Sequence, residues 1–384
     1  MIVSLSIAAL AAAPAVQGTS RPAVIVRVEN AAPANGTFQT PVWVGLHDGT
    51  FDTYDSGALA SSLPQPASDA IERIAEDGNT GPLTAEFDTL ALDSPQGTIL
   101  SNGMAPVFDP GRVTSRLFEV DPTQDRYFSY ASMVIPSNDG FISNGNPMAH
   151  PLFDAMGDFI GQPFTVFGDE VLDAGTEEND EIPMNTAFFG QMAPNVGVAT
   201  SDLIGPHPGF LSPSIGGILA DPMFSGADFT MPGYETLKFS FIPVDRSGIY
   251  RFDGVMSTAQ EVQDAPVLSR GRGLVTVGFD GGSDALRVVG FAIGMTGNIT
   301  AAHLHLGPEG TNGQVSVNLT SDVFQLLPGV AVFDTTMTGT DLVGPLAGEA
   351  DPLGAMLAEL MTEGVYLNLH TALHPMGELR AQLR

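Results

Sequence analysis

Four of the chain's seven histidines fall into two short runs near its C-terminal end. Ala301-Ala302-His303-Leu304-His305-Leu306-Gly307 sets two imidazoles at i and i+2. In extended chain, side chains two apart project from the same face, so His303 and His305 stand side by side. Tyr366-Leu367-Asn368-Leu369-His370-Thr371 alternates in the same way, with Tyr366, Asn368 and His370 on one face and His374 on the following turn. If the two runs are neighbouring strands, three or four ring nitrogens converge, an environment suited to copper or zinc. Glu378 is then placed to hold a ring N–H of one ligand, and Met295 or Met376 to add a soft donor. The same histidines could instead bond to backbone and fix strand register, and the spacing leaves both uses open.

A second run is acidic. Asp169-Glu170-Val171-Leu172-Asp173-Ala174-Gly175-Thr176-Glu177-Glu178-Asn179-Asp180-Glu181 holds seven carboxylates and no base. Like charges this dense repel, and a hard cation such as Ca²⁺ relieves them by accepting their oxygens. The spacing is not that of an EF-hand, whose Gly and terminal Glu fall elsewhere. Pro136-Ser137-Asn138-Asp139-Gly140 is a loop that could complete such a site, and a solvated acidic loop is the alternative. His47, His150 and His207 are isolated, and isolated histidines are more often structural than ligands.

Whole-chain composition narrows the function classes. In 384 residues, 44 Asp and Glu face 14 Lys and Arg, a formal charge of −30, with hydrophobic content of 43%. A polyanion with no basic surface releases no counterions from nucleic acid and is repelled by anionic lipid. The apolar content supports real cores, so the chain is not a disordered acidic tail. The absence of cysteine removes disulfides, thiolate metal sites and cysteine nucleophiles. No Walker A, dinucleotide, G-x-S-x-G or H-E-x-x-H motif occurs, and no catalytic residue is assigned.

The elements that must position these groups read as β-strands. Val24–Asn30, 41–47, 128–135, 164–167 and 237–244 alternate in the first part, separated by long Gly-, Pro- and Asn-rich loops. Segments 250–256, 273–279, 285–293, 301–306, 315–319, 365–370 and 378–383 do so in the second. Two helices are predicted, at 68–78 with a Ser cap and closing Gly, and at 351–364 with an Asp cap and Pro in the first turn. Residues 1–20 read as the apolar core and cleavage zone of a signal peptide, although the first positive charge is only Arg21. No later apolar stretch is long enough to span a bilayer. Export to a secreted, periplasmic or cell-surface location is expected, with no nucleic-acid partner and no transmembrane span in the mature chain.

The part from Val24 to Val244 resembles the bacterial form of the spondin N-terminal domain. The resemblance rests on Val28-Glu29-Asn30, Leu46-His47-Asp48-Gly49, Ile74-Ala75-Glu76-Asp77-Gly78, the Ala131–Asp139 run, Asp173-Ala174-Gly175-Thr176-Glu177 and His207-Pro208-Gly209. It implies a C2-like β-sandwich with calcium held by acidic loops, Asp139 and Asp173 first among the ligands and Glu177 and Asp180 behind them. Gly140 departs from the aromatic of animal members, whose disulfides are also missing.

Residues from Tyr250 to Arg384 resemble a chordin-type CHRD domain. Its marks here are Ala259-Gln260-Glu261-Val262 with Pro266, the strands around Gly273 and Leu286, the 301–307 histidine run with Gly310 and Gly313, and Asn368-Leu369-His370-Thr371 leading to Pro375–Leu383. Ala381 stands where a Gly is usual. The histidine pair is also similar to the copper strand of copper/zinc superoxide dismutase. The expected fold is all-β. It comprises two sandwich domains, 21–246 being C2-like with long loops and short helices and 247–384 immunoglobulin- or superoxide-dismutase-like. The expected function is a calcium-binding structural or adhesion protein whose loops bind an extracellular protein or glycan. The alternatives are a copper or zinc protein or metalloenzyme built on His303, His305, His370 and His374 with Glu378 behind them, and a self-associating structural protein.

Overall fold

A computed structural model describes residues 20–55, 65–103 and 105–384, and the expected signal segment lies almost wholly outside them. The chain is β-rich, with three sheets and, among the described residues, three α-helices.

The first part forms two sheets. One orders Val113–Glu119, Pro22–Asn30, Glu235–Asp245 and Phe164–Phe167. The other orders Gly205–Pro206, Leu172–Asp173, Gly140–Ser143, Tyr127–Ile135, Val42–His47 and Gln96–Ile99, with Phe38–Gln39 added beside Tyr127–Ile135. Val24, Val26 and Val28 from the first sheet meet Val44, Leu46, Phe128 and Tyr130 from the second in one core. Helices α1 (Asp69–Asp77) and α2 (Gly81–Leu90) cover the opposite face of the larger sheet, where Ile74, Leu83 and Phe87 pack on Trp43 and Ala131. Strand Val42–His47 is therefore buried throughout, which explains its apolar run from Val42 to Leu46. Ser68 caps α1 by accepting from Ile71 N, and Gly78 closes it at φ 65°, a left-handed position that favours glycine. Helix α2 has no counterpart among the two helices expected from sequence, and it starts at Gly81 with Pro82 in its first turn.

The second part differs from the expected pair of sheets. All its strands join one curled sheet: Val315–Asn318, Ile299–Leu306, Val365–Thr371, Leu379–Gln382, Ile249–Ser257, Arg272–Asp280, Ala285–Ile293, Val330–Met337 and Val323–Leu327. Its inner face wraps a core running from Leu304 and Leu367 to Val277, Val288 and Phe333. The seam is narrow. Leu379–Gln382 pairs with Ile249–Ser257 only at Ser257–Arg380, and Asp253 and Arg384 extend the contact by exchanging backbone bonds. Strand alternation looks the same whether two half-sheets are separate or joined there, so the sequence pattern alone did not distinguish them.

Helix α3 (Pro352–Met361) closes the core and also packs on Val113–Glu119 of the first part. Between Glu235–Asp245 and Ile249–Ser257 the chain makes only a tight turn. No described helix is long and apolar enough to cross a membrane.

Candidate metal centre in the C-terminal sheet

Ile299–Leu306 and Val365–Thr371 are antiparallel neighbours, so the two histidine runs share a ladder. His303 faces Asn368, His305 faces Tyr366 and Ala301 faces His370, which sets His370 diagonally across from His303. The His303 ring lies 5.5 Å from that of His305 and 5.2 Å from that of His370, centroid to centroid. One donor atom from each of His303, His305 and His370 lies within 4.8 Å of the other two. Register shifts fall between Ile299 and Ala301 and between Leu304 and His305, irregularities of the kind that re-aim side chains.

Two of the imidazoles are held with a definite nitrogen free. The His305 Nδ1–H donates to Gly313 O at 2.9 Å and the His370 Nδ1–H donates to Pro375 O at 3.0 Å. That leaves their Nε2 lone pairs, and those two atoms together with His303 Nδ1 are buried without a hydrogen-bond partner. Carbonyl acceptors behind a histidine fix its tautomer in this way at metal sites. Gly313 is required where it stands, since a Cβ there would lie 1.3 Å from Leu306 O. Only glycine lets the 307–314 loop fold back far enough to present that carbonyl.

Tyr366 stacks on His305 at 4.9 Å and 9°, its hydroxyl accepting from Gly313 N, and the Arg380 guanidinium lies 3.5 Å over its ring. Arg380 also donates to Thr311 O and Pro308 O, pinning the same loop. Burial lowers the pKa of all three histidines, that of His305 to about 4, and mutual repulsion with His370 adds to the effect on His303 and His305. They are neutral near pH 7, the form that ligates a metal.

Two expected members stand apart. His374 is outside the group that comes within 4.8 Å. Glu378 accepts from Ser269 Oγ, Thr296 N, Thr296 Oγ1 and Thr371 Oγ1, and no histidine is among these donors. Burial works against its charge, but those donors outweigh it and hold the carboxyl below its ordinary value. Glu378 thus staples loops at the end of the sheet, and the carbonyls of Gly313 and Pro375 take the ring N–H groups instead. Met295 packs into the core and Met376 is exposed. Sequence reasoning missed Glu261, whose Oε2 accepts from Asn368 Nδ2 at 3.3 Å. Glu261 Oε1 and Asn368 Oδ1 are buried without partners, Asn368 on the strand position facing His303.

The acidic loops meet by a different means from the one expected. Asp139 is fully buried, and its Oδ2 accepts from Thr176 N at 2.8 Å and Glu177 N at 3.1 Å. Asp173 accepts from Gly175 N and Asn179 Nδ2, Glu177 from Gly197 N, and Asp180 from Ile182 N and Asn185 Nδ2. Backbone and amide donors therefore already neutralise part of the charge. Asp139 Oδ1 and Glu177 Oε2 remain buried and unpartnered. Burial, then the neighbouring Asp173, lifts the Asp139 pKa to about 6, and burial, then Glu76, lifts that of Glu177 to about 7. Among the described residues, the acidic side chains do not bring three ligand atoms as close together as the histidines do.

The isolated histidines sit among aromatic rings and local backbone, and His207 accepts from Gly209 N at Nδ1 while its Nε2 is buried without a partner. His47 is used at both nitrogens, Nδ1 accepting from Gly49 N and Nε2 meeting Ser129 Oγ. His150 stacks on Phe164 at 3.7 Å, and His207 lies edge-on to Phe210 and Phe229.

Residues 252–383 match the CHRD domain family, so the chain carries a CHRD domain that contains the whole histidine group. The likeness of the first part to spondin N-terminal domains has no support from family or homology comparison. No curated protein matches the chain significantly.

Proposed function

We propose that this is an extracellular protein whose CHRD domain binds a copper or zinc ion through His303, His305 and His370. The observation that carries the reading is the set of three buried ring nitrogens without hydrogen-bond partners, gathered from two strands, with the other ring nitrogens of His305 and His370 tied to carbonyls. Burying polar atoms unpaired costs about 1–3 kcal/mol each, and a shared ligand offsets that cost. An all-nitrogen donor set favours copper or zinc over calcium or magnesium, which seek oxygen. Three protein ligands leave a further position open on a tetrahedral ion. Asn368 and Glu261 stand beside the group with acceptor atoms to spare, which suits a metal-bound water. The domain limits are taken as 21–246 for a spondin-N-like unit and 247–384 for the CHRD unit. Location is taken as secreted, periplasmic or cell surface.

The test is metal analysis of the purified chain, followed by competition titration with Cu²⁺ and Zn²⁺. Wild type is expected to bind one ion, and His303→Ala, His305→Ala and His370→Ala each to weaken it at least about 100-fold. His374→Ala is expected to stay within a few-fold of wild type. A folded wild type with no affinity for either metal ends the reading.

Calcium in the acidic loops is a second reading, supported by the two free carboxylate oxygens of Asp139 and Glu177. In that reading Asp139, Asp173, Glu177 and Asp180 stabilise loops that bind an extracellular protein or glycan. A melting temperature unmoved by Ca²⁺ or by chelator would count against it.

A further inference from the structure

The curled sheet has an outer face, and across it the register aligns an apolar row. Val255 faces Leu274, Leu274 faces Phe291, Phe291 faces Val332, and Val332 faces Phe324. Solvent-side strand positions are ordinarily polar, yet Val255 is 62%, Leu274 47% and Phe324 65% exposed. The row crosses five strands, about 19 Å at the usual strand spacing. It floors an open groove of about 860 Å³.

Charge decides what fits. Beside the apolar row run Arg251, paired with Asp253 at 2.9 Å, and Arg287, paired with Asp334 at 2.7 Å. Arg272 and Asp322 are also exposed along this face or its rim. The groove is lined by two arginines and three aspartates, with the exposed Arg272 on the same strand as Leu274, so this face is close to neutral on a chain whose formal charge is −30. Two copies repel one another over most of their surfaces. On this face they meet little net repulsion, and the arginines and aspartates of one copy can pair with those of the other. An apolar centre with a mixed-charge rim is self-complementary, as a two-fold interface must be.

We propose that the outer face of the CHRD sheet is a homodimer interface, centred on Leu274, Phe291 and Phe324 and oriented by Arg251, Arg287, Asp253 and Asp334. The surface is separate from the histidine group, and the inference does not rest on metal binding.

Sedimentation equilibrium on the full chain tests it. Wild type is expected to approach twice the 40.1 kDa monomer mass as concentration rises through the micromolar range. Leu274→Glu with Phe324→Glu is expected to weaken the dimer by at least about tenfold. Arg287→Glu, which leaves the apolar row intact, is expected to weaken it at low salt and to recover part of the loss at high salt. Circular dichroism verifies the fold of each variant, and the single exposed change in Arg287→Glu provides a second route should the double variant misfold. A wild type that stays monomeric overturns the proposal, including one that instead captures lipid vesicles on this face. So does a dimer that both variants leave unchanged.

Discussion

His47 and His303 show how differently one residue type is used in this chain. The His47 ring is fully buried with both nitrogens occupied, and burial holds its pKa at about 4. Its folded pKa lies below the ordinary 6.5, so the unfolded chain binds the extra proton between those values. The resulting stability is complete above pH 6.5 and is lost as pH falls towards 4. Replacing His47 by Gln should remove about 3 kcal/mol of acid sensitivity, measured as a flatter denaturant-stability profile between pH 4 and 6.5. Asp139 permits a second comparison. Asp139→Ala strands the N–H groups of Thr176 and Glu177 and should cost about 2–4 kcal/mol. Asp139→Asn keeps an acceptor and should cost about 1 kcal/mol. If backbone donors rather than calcium join these loops, both losses will be equal with and without chelator in urea titrations.

Helix α3 was legible in outline, with Asp351 capping Gly354 N and Pro352 in its first turn. Its partner was not. Glu359 is buried against the first part of the chain, where its Oε1 accepts from Ser115 N at 3.1 Å, and Thr362 Oγ1 meets Ser115 Oγ. A glutamate near the end of a helix ordinarily faces water, so nothing local marks it as buried, yet every residue from Leu353 to Leu360 is. Burial lifts its pKa to about 7. Here the folded state binds the proton more tightly, so the contribution is present below pH 4.5 and is lost as pH rises through 7. Glu359→Gln retains the acceptor without the charge. It should stabilise the protein by about 3 kcal/mol at pH 8 and change little at pH 4, read from thermal or denaturant unfolding.

The two parts of the chain are joined by more than their linker. Arg246, in the tight turn between them, is 1% exposed and donates to both oxygens of Asp351 and to Asp284, with its guanidinium 4.8 Å over the Phe279 ring. It fastens the turn to the start of α3, while Glu359 and Thr362 fasten the end of α3 to Val113–Glu119. Arg246→Ala should lower stability by about 2–4 kcal/mol, moderated because Asp351 and Asp284 keep access to water. Calorimetry should then resolve one cooperative transition in wild type and a broadened or split one in the variant.

Most strands, two of the three helices and the histidine pair at i and i+2 could be read directly, because each depends on periodicity and capping within a few residues. The joining of the second part into one sheet could not be read, since it turns on the pairing of Ser257 with Arg380 and the backbone exchange between Asp253 and Arg384, far apart in the chain. The site divides in the same way. Residue types named His303, His305 and His370, but the exclusion of His374, the diversion of Glu378 to hydroxyl donors and the use of Gly313 and Pro375 carbonyls depend on where folded loops come to rest. The acidic run likewise announced its repulsion in one dimension. Its relief by amides from Thr176, Glu177 and Gly197 required the fold, because a backbone N–H carries no sequence signature and becomes a specific partner only when the chain is bent towards it.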